Sequence, residues 1–246
     1  MSLHSSSPSP QPEESEPAKA EVIAVKDVKY KFTGVRQSSY RYISGKPLHP
    51  STNYDHLKDL SLKMAGECDA LAVSSEFLAV PLNKPGGQIG IIPIKNMGRQ
   101  PAKLPALVNT GEVLDFVFNP FDPRMVAAAC DDSYIRVWKI PEGGLTEDTT
   151  EVFLKLSGHR HRVNLVRFHP TARNILVSSS TELSEPTIKY WDLTTGKEIL
   201  TLTGFQDQVF SFDHNSDGSL LAVVSKDKML RIFDTRAKKL IRVRAF

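Results

Sequence analysis

Val113-Leu114-Asp115-Phe116-Val117-Phe118 runs into Asn119-Pro120, then Met125-Val126-Ala127-Ala128-Ala129 reaches the polar turn Asp131-Asp132, and Tyr134-Ile135-Arg136-Val137-Trp138 follows. These are short apolar runs rich in β-branched and aromatic residues and bounded by turn formers, which is how strands read. Earlier in the chain Val22-Ile23-Ala24-Val25, Ala70-Leu71-Ala72-Val73, Phe77-Leu78-Ala79-Val80 and Ile89-Gly90-Ile91-Ile92-Pro93-Ile94 carry the same signal. No window of about 12 residues holds a helical period, so units of strand, helix, strand are excluded and the chain reads as all-β.

The strand ending at Trp138 recurs as Thr187-Ile188-Lys189-Tyr190-Trp191-Asp192 and as Met229-Leu230-Arg231-Ile232-Phe233-Asp234. Upstream the same parts return in order: Gly111 to Asn119-Pro120, Gly158-His159 to Phe168-His169-Pro170, and Gly204-Phe205 to Asn215-Ser216-Asp217-Gly218. A period of about 40 to 45 residues with Gly-His near its start and Trp-Asp near its end marks a β-propeller blade of the WD-repeat kind. Residues 181–186 are an insertion that lengthens one hairpin, and a more divergent first blade closes near Ile94. Blades are expected over about 52–95, 104–140, 152–200 and 201–244, after an opening strand at about 30–46.

In well-formed WD blades a His after Gly, a Ser on the middle strand, an Asp in the hairpin turn and the Trp indole N–H form a buried hydrogen-bonded tetrad. Here the tetrad is incomplete. Asp132 and Trp138 are in place, but Asn109 stands at the His position and Ala128 at the Ser position. The next repeat has His159, Ser178 or Ser179, and Trp191, with Glu185 where Asp is expected. The last keeps Asp227, while Phe205 and Phe233 can make none of those hydrogen bonds.

Composition bounds the rest. At 246 residues, 40% hydrophobic and 24% charged, the chain can bury a real core, and no stretch approaches the apolar length of a membrane span. Cys68 and Cys130 have neither zinc-site spacing nor the density of a secreted disulfide scaffold, which fits a reducing compartment. Residues 1–20, rich in Ser and Pro and net acidic, lack the apolar side chains to fold and read as a disordered arm without a secretory signal; Ser7-Pro8 and Ser9-Pro10 are open to a proline-directed kinase. The net charge of +3 is too small to argue for nucleic acid. Residues 226–246 are strongly basic, but Arg242 and Arg244 alternate with apolar residues as on one solvated strand face. His159-Arg160-His161 lacks a third metal ligand, and no nucleophile elbow, phosphate loop or H-E-x-x-H occurs, so no enzyme, cofactor or metal is expected.

Several segments together are similar to the coronin family. Val35-Arg36-Gln37-Ser38-Ser39-Tyr40-Arg41 with Gly45-Lys46-Pro47 resembles the opening of coronin propellers, and Ile140-Pro141-Glu142-Gly143-Gly144-Leu145 the loop after their second blade. Phe168-His169-Pro170-Thr171-Ala172-Arg173-Asn174 and Arg231-Ile232-Phe233-Asp234-Thr235-Arg236 resemble the third and fourth blades. Lys84-Pro85-Gly86-Gly87-Gln88-Ile89, Asn119-Pro120-Phe121-Asp122-Pro123 and the Ser/Pro arm resemble the second propeller, and the linker before it, of long coronins with two propellers in tandem. The resemblance covers about residues 30–242 and implies a partial propeller, about four of seven blades, within residues 21–246.

It also implies a function: a non-enzymatic interaction protein that binds actin filaments and organises the cytoskeleton, in the cytoplasm. Lys58 falls where short coronins carry an Arg important for filament binding, and Arg36, Arg41 and Lys46 add positive charge nearby. Filaments are acidic, so exposed cations suit them, although Lys lacks the two-pronged carboxylate contact of Arg. The alternative reading is an adaptor in Golgi or vesicle trafficking that meets protein partners on the propeller faces.

Overall fold

Turn formers cut the apolar runs into strands, and hairpin after hairpin stacks them side by side. A computed structural model describes residues 49–61, 68–181 and 186–245. The Ser/Pro arm, the opening strand with Arg36, Arg41 and Lys46, and Glu185 of the insertion lie outside the described residues.

In chain order, β1 (Tyr54–Asp55), β2 (Ala72–Val73), β3 (Phe77–Leu82), β4 (Gln88–Pro93), β5 (Gly98–Arg99) and β6 (Ala106–Val108) come first. β7 (Val113–Asn119), β8 (Asp122–Cys130), β9 (Ile135–Lys139) and β10 (Leu154–Leu156) follow, then β11 (Val163–Phe168), β12 (Ile175–Ser180), β13 (Ile188–Asp192) and β14 (Lys197–Leu202). β15 (Val209–His214), β16 (Leu220–Ser225), β17 (Met229–Asp234) and β18 (Lys239–Ala245) end the chain. They form four four-stranded antiparallel sheets, β2-β3-β4-β6, β7 to β10, β11 to β14 and β15 to β18, while β1 and β5 pair as a parallel ribbon beside the first sheet. The described residues form four blades of an all-β WD-repeat propeller.

At the first two sheets the sequence repeats and the blades are out of phase by one strand. The segment expected to open the second blade, near residue 104, supplies β6, the outer strand of the first sheet; β10 likewise closes the second sheet from within the expected third blade. The recurring text stops at the Trp strand, and after β9 the outer strand follows a loop of its own, so sequence similarity does not mark it.

Both faces of a middle strand are buried, which is why β8 carries a nearly continuous apolar run. Ala128 and Cys130 pack with Phe77, Ile89 and Ile91 of the first blade, while Ala127 and Ala129 pack with Val163, Val166 and Leu176 of the third. A third core joins Val177, Ile188 and Tyr190 to Val209, Phe212 and Phe233. Val80, Leu82 and Ile92, on the far side of the first blade, are covered by Tyr54, Leu57 and Leu60. The far side of the fourth blade has no such cover among the described residues. There Ala222 pairs Ile232 and Val224 pairs Leu230, the registers held by Ala127 with Val137 and Ala129 with Ile135 in the second blade.

Candidate functional site

Lys58 lies in the segment that covers the first blade. Its neighbours Leu57 and Leu60 turn inward onto the core, which leaves the Lys58 side chain exposed. His56 and Asp59 take positive φ, 65° and 58°, so the backbone twists sharply on either side of it. The segment is tied down: Asn83 N–H donates to Asp59 O at 2.7 Å and Ser61 N–H to Pro81 O at 2.9 Å. The Lys58 ammonium has no hydrogen bond or ion pair among the described residues. The β1–β5 ribbon brings exposed Arg99 opposite Asp55, three residues from Lys58, a cation that sequence reading does not associate with the site. Arg36, Arg41 and Lys46 lie outside the described residues.

The second, third and fourth blades settle their tetrads in two ways. In the third, Trp191 Nε1–H donates to Ser178 Oγ at 2.8 Å, and Ser178 Oγ lies 2.7 Å from His159 Nε2. Ser178, not Ser179, is therefore the residue at the centre. Nε2 is thus the His159 nitrogen in the network, while the buried Nδ1 has no hydrogen-bond partner among the described residues. Burial, reinforced by the charge on Lys189, pushes His159 down to about 4 and keeps it neutral. Gly158 is required here: with φ at 152°, a Cβ would sit 2.9 Å from the Trp191 ring.

In the second blade Ala128 pairs with Arg136 in the register that Ser178 holds with Lys189. With no hydroxyl there, the buried Trp138 Nε1–H finds no acceptor among the described residues. Asn109, at the His position, donates instead to Cys130 Sγ at 2.9 Å and Gly111 O at 2.7 Å. Asp132 turns to Arg136, whose guanidinium donates to it at 3.0 Å and also reaches Thr110. Burial alone would raise the Asp132 carboxyl, but the hydrogen bonds from Arg136 and the Tyr134 N–H, with the charges of Arg136 and Lys155, together outweigh it and the group lies below its usual range.

The fourth blade repeats that solution. Asp227 pairs with Arg231 at 2.7 Å and accepts from Ser225, and Arg231 lies over the Phe205 ring, 5.5 Å from its centre. Phe205 and Phe233, which replace His and Trp, meet with ring centres 5.7 Å apart. Although burial pulls the other way, hydrogen bonds from Arg231 and Ser225 hold Asp227 down at about 2. Arg136 and Arg231 were missed in the sequence, yet the Asp-x-x-x-Arg spacing recurs in both repeats and was available as a signal.

Asp115 crosses between blades. One of its oxygens accepts from Val166 N–H at 2.9 Å and from the Arg167 guanidinium. Burial raises this carboxyl in spite of Arg167. The nearby Cys68 thiol, half-buried and next to the Asp115 charge, is pushed up to about 11. No group of three or more His, Cys, Asp or Glu suited to a metal occurs among the described residues. No helix among them is long and apolar enough to cross a membrane.

A domain of unknown function (DUF1899) matches residues 33–99, and the WD domain, G-beta repeat, matches residues 105–139 and 196–234. Coronin-7 of Rattus norvegicus is 41% identical over 204 residues, covering 82% of this chain and 22% of that protein. The coronin-like protein of Saccharomyces cerevisiae is 35% identical over 218 residues, covering 84% of this chain and 33% of that protein. The solved WD40 domain of Toxoplasma gondii coronin superposes with a TM-score of 0.69 at 30% identity, over 75% of this chain and 47% of that one. The chain thus spans about a fifth to a third of the length of these curated relatives. With its repeats, its four blades and these relatives in agreement, the chain belongs to the coronin family of WD-repeat proteins.

Proposed function

We propose that this chain acts without catalysis as a filament-binding propeller surface of the coronin type, engaging actin in the cytoplasm through the exposed cations of its first blade. The observation that carries this reading is Lys58: an exposed ammonium without a partner among the described residues, on backbone that two inward leucines and two hydrogen bonds hold in place. Backbone held in this way needs no ordering of its own when Lys58 meets an acidic surface. Arg99 on the adjoining ribbon widens the positive face, while Asp55 and Asp59 keep it mild.

The test is co-sedimentation of the 246-residue chain with actin filaments at low and physiological salt, beside Lys58→Glu and Lys58→Arg. Pelleting should weaken steeply with salt, fall by about tenfold or more in Lys58→Glu and hold or strengthen in Lys58→Arg, since Arg adds a bidentate contact. Pelleting that ignores both salt and Lys58→Glu, or no pelleting from a folded chain, overturns this reading; the second result favours the trafficking adaptor.

A further inference from the structure

The loop between β9 and β10 borders a cleft of about 530 Å³ on the outer part of the second blade. That volume lies within the range of about 300 to 1,000 Å³ usual for ligand pockets. Pro141, Leu145, Val152 and Phe153 give the cleft its apolar lining, with Phe153 58% exposed. Glu142, Glu147 and Glu151 stand around it, all exposed, and Lys139 is the one cation of the lining. None of the three carboxylates makes a hydrogen bond or ion pair among the described residues.

The loop is built to keep its shape. Gly144 lies so close to the first blade that a Cβ would come within 3.1 Å of Pro93 and 3.3 Å of Phe77. Further along, Thr149 exchanges backbone hydrogen bonds with β6, donating to Ala106 O at 2.9 Å and accepting from Val108 N–H at 2.8 Å. Asp148 adds an ion pair to Lys103 at 2.7 Å and accepts from Ala106 N–H. Leu145 and Val152 rest on the core between the first and second blades. Asp148 therefore serves the architecture, whereas the three glutamates have no partner among the described residues.

We propose that this cleft is a docking site for a short protein segment carrying Lys or Arg beside one large apolar side chain. An apolar anchor would cover Phe153 and Val152, and cations on either side would meet carboxylates left open by the fold. Charge complementarity selects the occupant, because three acids against one base repel an acidic segment and leave a purely apolar one with no match at the rim. A loop pinned at both ends limits the ordering cost of binding. The site is separate from the filament reading, which rests on cations of the first blade, so either can fail while the other stands.

The test screens the full chain against an array of ten-residue peptides in which one Leu or Phe is flanked by Lys and Arg. Counterparts with Glu and Asp in place of the bases, or Ser in place of the apolar residue, serve as controls. Basic peptides with an apolar anchor should bind. Binding should fall about tenfold or more in Glu147→Lys with Glu151→Lys and, separately, in Phe153→Ser; these positions are exposed, so an unchanged thermal midpoint shows that the variants fold. Three results overturn the proposal: no binding to any basic peptide, binding that ignores Phe153→Ser and reports only diffuse charge, or binding unchanged in all variants. Self-association of the chain that Phe153→Ser abolishes and the peptides do not compete with would make a second copy the occupant and overturn it as well.

Discussion

Asp115 and Arg167, 52 residues apart, close an ion pair at 2.5 Å across the joint between the second and third blades, with the Asp115 side chain only 2% exposed. Asp115 also accepts from the Val166 backbone, so one carboxylate serves two groups of the neighbouring blade. Asp115→Ala should cost about 2 to 4 kcal/mol, since it leaves a buried N–H without an acceptor and Arg167 without its partner. Arg167 is 30% exposed on its side chain and can rehydrate, so Arg167→Met should cost distinctly less than Asp115→Ala. Urea unfolding of both variants measures the difference, and equal losses would refute the asymmetry.

The two tryptophans differ by one acceptor. Trp191 donates to Ser178, while Trp138, with Ala128 at the position of that serine, has no acceptor among the described residues. Ala128→Ser should supply the missing acceptor and raise stability by about 0.5 to 1.5 kcal/mol. Ser178→Ala should remove about 2 kcal/mol, because it strands both Trp191 and His159. Thermal midpoints that move in opposite directions for the two changes meet this expectation.

Acid should unfold the protein in two stages. His159 and His214 are each held down to about 4, by burial first, then by Lys189 for His159 and by His169 for His214. Unfolded histidine takes up its proton near pH 6.5, so between about 6.5 and 4 the unfolded chain binds more protons and stability falls with pH. For the deeply buried His159 the loss is at most roughly 3 kcal/mol. Asp227, folded at about 2, stabilises the protein above the ordinary carboxylate range, and that contribution goes as pH falls toward 2. Asp115, raised by burial, works in the opposite direction over part of this window. Unfolding midpoints followed from pH 7 to 4 should decline in the wild type and decline less in His214→Phe; an equal slope in the variant refutes the assignment.

Equivalent positions on two blades should tolerate charge very differently. Val137 is fully buried against the third blade, while Ile232, in the same register of the fourth, faces no further sheet among the described residues. Val137→Lys should prevent cooperative folding, whereas Ile232→Lys should leave the thermal midpoint within a few degrees and reduce aggregation of the chain by breaking an apolar face. Light scattering with thermal melts tests both, and a comparable loss in the two variants would mean that Ile232 is covered.

Much of this architecture was legible because its signals are local. Alternating or continuous apolar runs bounded by Asn, Pro, Gly and Asp name the strands, and the recurrence of Trp138, Trp191 and Phe233 names the repeat. Gly158-His159 was legible for the same reason, since a glycine beside an indole edge leaves room that no other residue does. The outer strands β6 and β10 were less so, because each belongs to a sheet whose identifying text lies earlier. Lys58 stood out in the sequence only through resemblance; its exposure depends on Leu57 and Leu60 finding the first blade's core.

The sequence by itself determined the all-β class, the repeat and the family, since each rests on patterns that fit within one strand or one period. Tertiary structure decided which serine of Ser178-Ser179-Ser180 receives the indole, that Arg136 and Arg231 take over the aspartates, that Asp115 meets Arg167, and that Glu142, Glu147 and Glu151 ring one cleft. Those outcomes depend on register and on the stacking of one blade against the next. A one-residue shift of register turns a side chain to the opposite face, and no local pattern records which residues of separate blades will meet.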